Sequence, residues 1–426
     1  MNSLEIYIDP LPSPGVMSAK MWIREGSRAD PIHQKGAHQL LGSVLTRGCG
    51  PFDYFEIADL IEGCGAGLHC ETYEDGFLIS LKCLGTDAHR LLPVIGWMLQ
   101  KPHLETRQID LERELSIQSL KRQKENPFYL AFDAWRQLAY GASPYGHDPL
   151  GAIDDLKLLS KNELIPLSTS LITREKVLVI SGTFPIDIEK YINKIEPFDF
   201  LLNQNTSDPI SINYENSIIN RTNKNRTLTL QSIESSQVVI MLGEATIPHG
   251  HKDDLPLHLL SCHIGSGMSS QLFIELREKY GVAYDVGVHH PTKEYDSPFL
   301  IHASTSNSKS LHTLELLQSC WKDLHEKTIS EDELILAKAK YRSQLAHSSQ
   351  TVSQRTERKA HLLGLKLPLN HDQENIKKIE SITAEDLQNA ANKHLYNPLL
   401  SLCGPKHTIN KLANKWLANH SYPTKS

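Results

Sequence analysis

Two stretches of this chain follow one plan, and that constrains the fold more than any other feature. Residues 154–182 read DDLKLLSKNELIPLSTSLITREKVLVISG, and residues 377–404 read KKIESITAEDLQNAANKHLYNPLLSLCG. Each opens with a short apolar turn. A capping box follows, Ser160 with Glu163 in the first stretch and Thr383 with Asp386 in the second. In such a box the two side chains satisfy amides left orphaned at a helix start. Each stretch then runs through a helix into an apolar strand ending at Gly182 or at Gly404, 222 residues later. A period this long is a duplicated domain; solenoid repeats run to about 20–50 residues. The 426 residues therefore read as two similar halves. The seam falls in the most polar stretch, Asn203 to Pro209 and then Asn213 to Arg226 with its five asparagines, which lacks helical periodicity. An N-terminal domain is expected over 1–200, a linker over 201–226 and a C-terminal domain over 227–426.

Within each half, helical and strand periodicities are mixed. Met17 to Arg24 alternates Met, Ala, Met and Ile with Ser, Lys, Trp and Arg, which predicts a strand buried on one face. Ala37, Leu40, Leu41, Val44 and Leu45 keep the spacing of an amphipathic helix, stopped by Gly48 to Pro51. Phe77 to Leu84 reads as a strand, and Leu111 to Lys124 as a charged helix ended near Asn126-Pro127. Leu314, Leu317, Trp321 and Leu324 mark one further helix. Leu334, Tyr341 and Leu345 mark another, opened by Ser330 and Glu333. Helices and strands mixed in this way predict an α+β fold, its sheets covered by helices.

Composition excludes several classes. The longest uncharged run, Leu255 to Ile274, is broken by Pro, His, Ser, Gly and Gln and is not the apolar stretch of ~18 residues that a spanning helix needs, so a soluble globular protein is expected. Lys and Arg number 44 against 50 Asp and Glu, a net charge of −6, which disfavours a broad nucleic-acid or anionic-membrane face. The N-terminus has no basic segment followed by an apolar one, so no signal peptide is expected. Seven cysteines without a CxxC pair read as reduced, mostly buried thiols of a cytoplasmic protein. The 21 histidines are where a metal site would be sought, yet none lies three or four residues from another, so no helix face carries a His pair. His249-Gly-His251 falls in a polar loop, and His289-His290 would point to opposite faces of a strand.

Two blocks carry a resemblance. The first runs Gly26-Ser-Arg28, Gly36-Ala-His38-Gln-Leu-Leu-Gly42, Arg47-Gly48, Glu56-Ile-Ala58, Gly65-Ala-Gly67, Glu112-Arg-Glu114, Asn126-Pro127, Pro144-Tyr-Gly146 and Leu150-Gly151. The second runs Gly265-Ser-Gly267-Met-Ser-Ser-Gln-Leu272, then Leu276-Arg277-Glu-Lys-Tyr-Gly281-Val-Ala-Tyr284. In order and spacing they resemble the pitrilysin and mitochondrial processing peptidase family, the inverzincins, across nearly the whole chain. The resemblance implies two similar α+β domains, each a mainly antiparallel sheet covered by helices, in subunits that close in pairs around a peptide.

The departures from the family pattern imply the rest. An inverzincin holds zinc with HxxEH on a helix and a Glu about 75 residues later. Here His38 is kept, but Leu41 stands for the general base and Gly42 for the second ligand. Counted from Glu112-Arg-Glu114, the third ligand falls on Lys121. One imidazole with Leu, Gly and Lys cannot hold catalytic zinc, so His38 is expected as a relic or core-rim histidine and this chain to bind no metal. The strand after Gly65-Ala-Gly67 reads Leu68-His69-Cys70-Glu71 where Asn-Ala is usual, and in the second block Ser266 replaces the middle glycine of the Gly265–Gly267 loop. That loop is not a phosphate loop, since no Lys follows in the required place.

Arg277 and Tyr284, in contrast, are kept. By themselves they read as a surface Arg beside a core Tyr; the resemblance implies that they bind the peptide backbone near the scissile bond. It further implies a non-catalytic, substrate-binding subunit of a heterodimeric zinc endopeptidase, inactive alone. The zinc then belongs to a paralogous partner. The alternative is a pseudoprotease that binds peptides or scaffolds an assembly without cleaving.

Overall fold

In the computed structural model, which describes residues 3–206 and 227–419, ten strands form two five-stranded sheets of one plan. The first holds β1 (Leu4–Pro10), β2 (Val16–Ile23), β3 (Gly67–Thr72), β4 (Phe77–Leu84) and β5 (Lys176–Gly182), in the order β1-β5-β2-β4-β3. The second holds β6 (Leu228–Ser232), β7 (Gln237–Ala245), β8 (Ala283–His289), β9 (Pro298–Ser306) and β10 (Leu399–Gly404), in the order β6-β10-β7-β9-β8. In each sheet only the first and last strands pair in parallel; the other pairings are antiparallel. The repeated plan extends to the edges: β3 and β8 are equivalent edge strands. The α+β architecture of two similar, mainly antiparallel sheets covered by helices is the one expected. Of the expected linker over 201–226, the part from 207 onward lies outside the described residues. No described helix is long and apolar enough to cross a membrane.

Capping explains where the helices begin. The boxes of Ser160/Glu163, Thr383/Asp386 and Ser330/Glu333 are all made, and Asp53/Glu56 and Thr351/Gln354 form two more. Leu314, Leu317, Trp321 and Leu324 are buried along the Ser310–Glu326 helix.

One expectation fails instructively. β2 is buried on both faces, not one. Its apolar side, with Met17, Ala19, Met21 and Ile23, packs into the main core of the first unit. Its other side, Ser18, Lys20 and Trp22, is covered by the Val352–Gly364 helix, which comes from the second half of the chain. Lys20 Nζ meets Glu357 Oε2 at 2.8 Å, and Trp22 packs with Leu78, Val177, Val179 and Ala360. The second sheet is treated the same way by the Pro127–Tyr140 helix of the first half. Ala131 and Trp135 of that helix pack on Val239, Met241, Leu300 and Cys403, and Ser401 Oγ donates to the Ala131 carbonyl at 2.7 Å. The compact units thus exchange segments: Ala346–His371 belongs with the first, Arg122–Gly146 with the second.

Candidate functional site

His38 opens the Ala37–Leu45 helix and is not at the rim of the core; none of it reaches solvent. Its surroundings are charged rather than apolar. Nδ1 donates to Asp30 Oδ1 at 2.7 Å and Nε2 to Glu25 Oε1 at 3.3 Å, both carboxylates being buried. Asp30 is fixed further by the Gly36 amide at 2.7 Å and by His147 Nε2 at 3.2 Å. Glu25 accepts from Ser170 Oγ at 2.6 Å and pairs with Arg174. Burial opposes charge on His38, but the hydrogen bonds to Asp30 and Glu25 outweigh it and raise its pKa from 6.5 to about 9. Burial likewise opposes both carboxylates, and their histidine contacts hold them below the ordinary range. His38 is therefore a buried imidazolium with both ring nitrogens committed as donors, and neither offers a lone pair to a metal.

The rest of the implied zinc centre is filled or turned away. Leu41 is fully buried in the apolar core. A Cβ at Gly42 would stand 3.0 Å from the Phe77 ring and 3.4 Å from Cys70 Cβ, so an imidazole there has no room unless Phe77 moves. Lys121 lies exposed near the end of the Thr106–Gln123 helix. The one buried acid of that helix, Glu112, is already held by Arg47 Nε at 2.7 Å. The residues at these positions do not fit a catalytic zinc ion.

Arg277 and Tyr284 sit at the equivalent edge of the second sheet. The segment that carries Arg277 winds as a π-helical stretch over Phe273–Lys279. Its wider turn is seen in the Tyr280 amide reaching back five residues to the Glu275 carbonyl at 3.2 Å. Arg277, exposed on this stretch, lies over the Phe273 ring at 4.9 Å and has no carboxylate partner among the described residues. Gly281, at φ +57°, turns the chain into β8. There the pairing steps from Ala283↔Thr305 to Asp285↔Ser304, leaving Tyr284 as the extra residue of a β-bulge, 62% exposed. Bulges and π-turns both re-aim side chains, and here each presents one donor group to solvent. On β3, His69 and Glu71 are exposed while Leu68 and Cys70 are half-buried.

The remaining histidine expectations are met in part. His289 and His290 do point apart, against Phe132 at 4.9 Å and Phe299 at 5.1 Å respectively. His249 and His251 do not share one site. Among the described residues two groups bring donor atoms within 4.8 Å of one another: His249 with Asp254 and His258, and His251 with Asp253 and His394. A search for His–His spacings passes over the first of these, because its helical pair is Asp254 and His258, a carboxylate and an imidazole at i and i+4. Glu25, Asp30, His147 and Arg174 carried no such signal, since no fixed spacing links them to His38. All seven cysteines are unpaired, and five are buried.

Comparison with known proteins follows the same halves. Residues 12–150 match the model of the insulinase family, peptidase family M16, and residues 177–341 that of the peptidase M16 inactive domain. The chain is 24% identical over 399 residues to a Rickettsia felis protein described as an uncharacterized zinc protease, covering 92% of this chain and 93% of that one. Among solved structures it is similar to a peptidase M16 inactive domain from Pseudomonas fluorescens, with a TM-score of 0.82 at 20% identity over 94% of this chain and 95% of that one. A protease from Helicobacter pylori gives a TM-score of 0.80 at 17% identity over 94% and 97%.

Proposed function

The chain belongs to the M16 peptidase family, that of pitrilysin and the processing peptidases, and on that premise we propose that it is the non-catalytic, substrate-binding subunit of a zinc-dependent processing-type endopeptidase. The observation that carries this reading is the exposed guanidinium of Arg277, free of any acidic partner among the described residues and close in sequence to the bulged Tyr284. An arginine on a helix rich in Glu275 and Glu278 would ordinarily be drawn into an ion pair, as Lys279 is with Glu275 at 3.2 Å. Arg277 is instead left as a planar fork of N–H donors, and Tyr284 as a free hydroxyl donor.

Such donors suit the carbonyl oxygen of a bound peptide and the oxyanion that develops from it. Their role is to bind and orient the peptide backbone and to stabilise charge at that oxygen. The metal and general base are supplied by a paralogous partner subunit carrying an intact HxxEH. Substrate handling and metal chemistry are thereby divided between two chains.

Reconstitution with a zinc-bearing paralogue tests this. The chain alone should cleave no peptide, and the pair should. Arg277→Ala should lower kcat/KM of the pair by about 10²–10³-fold, the usual effect of removing one oxyanion donor. Tyr284→Phe, losing a single hydroxyl, should cost about tenfold. Cleavage by the chain alone overturns the reading. So does a pair indifferent to Arg277→Ala, which would instead favour a peptide-binding or scaffolding pseudoprotease.

A further inference from the structure

Asp254 and His258 lie one turn apart on the Asp254–Gly265 helix, so their side chains share a face. The turn at Gly250, φ +84°, brings His249 to the same carboxylate. Asp254 Oδ2 accepts from His249 Nδ1 at 2.7 Å and from the Gly250 amide at 3.0 Å, and Oδ1 lies 3.3 Å from His258 Nε2. The rings of His249 and His258 stand 5.9 Å apart at 89°, pointing at the carboxylate from two sides. These side chains are 3%, 5% and 16% exposed for His249, Asp254 and His258 respectively. This is a carboxylate and two imidazoles, withdrawn from water, with donor atoms already at ligand separations.

His290 is the independent observation. It follows the end of β8, and its ring lies 4.6 Å from that of His258. Nδ1 is 2.9 Å from the Pro298 carbonyl, which can only accept, so Nδ1 carries the proton and Nε2 the lone pair. That Nε2 is buried and has no hydrogen-bond partner among the described residues. A backbone carbonyl holding one ring nitrogen while the other keeps its lone pair is the usual arrangement of a metal-ligating histidine. Hydrogen bonding to Asp254 accounts for His249 Nδ1 and His258 Nε2; it does not account for the buried acceptor nitrogen of His290.

We propose that His249, Asp254, His258 and His290 form a binding site for one divalent transition-metal ion of the zinc class. Three imidazoles and one carboxylate suit zinc, cobalt or nickel and not magnesium or calcium, which take oxygen shells. Four protein donors close a tetrahedral shell, so the site is structural and ties the loop before residue 254, the first turn of the following helix and the end of β8 together. It is distinct from the peptide-binding pair. Six residues of extended chain separate His290 from Tyr284, about 20 Å at ~3.3 Å per residue. The neighbouring group around Asp253 is no rival, since Lys393 Nζ, 2.8 Å from Asp253 Oδ2, already supplies a cation to that carboxylate.

The test uses the metal-stripped full-length chain, titrated with zinc chloride by calorimetry and with cobalt chloride by visible absorption. One equivalent should bind, cobalt should show the intense bands of a four-coordinate ion, and zinc should raise the melting temperature. His258→Ala and His290→Gln should each weaken binding by about tenfold or more and abolish the thermal shift. His394→Ala should change neither. His290→Gln keeps a side chain able to donate to Pro298 and serves where the alanine variant does not fold. A parent chain that takes up no metal overturns the proposal. So does a folded His290→Gln chain that binds as tightly as the parent.

Discussion

The Ala37–Leu45 and Asp254–Gly265 helices occupy the same place in the two repeated units, after the second strand of the sheet and before its edge strand. Each carries a buried cluster of histidine and carboxylate, and the clusters are opposite in kind. Around His38, two carboxylates face one imidazole, and Arg174 and His147 take up their remaining oxygens. Charge is balanced by protons, every ring nitrogen of His38 is a donor, and the cluster is closed. Around Asp254, one carboxylate faces two imidazoles, a third imidazole, His290, lies beside His258, and a lone pair is left over on His290. The ratio of acid to imidazole, more than the presence of histidine, decides whether such a cluster holds a proton or has room for an ion.

The strongest challenge to this contrast is to restore the missing motif letters in the first unit, Leu41→Glu with Gly42→His, in a His258→Ala background. A carboxylate at a fully buried position costs about 3–5 kcal/mol when unpaired, and crowding Phe77 about 1–3 kcal/mol more. Urea unfolding should therefore show a loss of about 4 kcal/mol or more, and metal analysis no zinc. A stable variant that binds zinc breaks the comparison.

Asp30→Asn comes next. It leaves His38 and His147 without their shared carboxylate and should cost about 3 kcal/mol. The same contact has a pH signature. The His38 pKa is raised on folding, from 6.5 to about 9, so its stabilisation is complete below pH 6.5 and is lost as pH rises through about 9. The whole contribution is ~3 kcal/mol at 1.36 kcal/mol per unit of pKa. Unfolding free energies across that window should fall in the parent and be flatter in Asp30→Asn. A flat parent would mean a neutral His38 with a lone pair to offer, and the two clusters would no longer differ in kind. The smallest effect belongs to the second unit. Loss of one ligand there is worth about tenfold in metal affinity, about 1.4 kcal/mol, while His38→Gln should leave metal uptake unchanged.

Much of the fold is legible along the chain because it is local. The capping boxes of Ser160 and Thr383 announce the repeat, and the spacing of Leu314, Leu317, Trp321 and Leu324 announces a buried helix face. The alternation in Met17 to Arg24 is legible as a strand but misread as half-solvated, because the helix that covers Lys20 and Trp22 is 330 positions and more away in sequence. No periodicity reports such a partner. At the candidate sites, side-chain identity was readable and side-chain setting was not. Arg277 and Tyr284 could be picked out, but neither the π-helical turn that carries the first nor the bulge in the β8–β9 pairing that carries the second has a periodicity to announce it. His38 could be noticed, but its charge is set by Glu25, Asp30 and Arg174, which only folding brings together. The Asp254–His258 pair was visible in the sequence all along, to a search that admits carboxylates beside histidines.

The exchanged helix has a consequence in time. During synthesis β5 is finished at Gly182, while Val352–Gly364 has yet to be made. At about 5–20 residues per second, the ribosome delivers that helix on the order of ten seconds later. Through that interval the face of the first sheet bearing Trp22, Leu78, Val177 and Val179 stands open. The nascent chain thus offers a sticky apolar surface to chaperones or to sister chains on the same message, and its first domain is sealed only once Val352–Gly364 has been made.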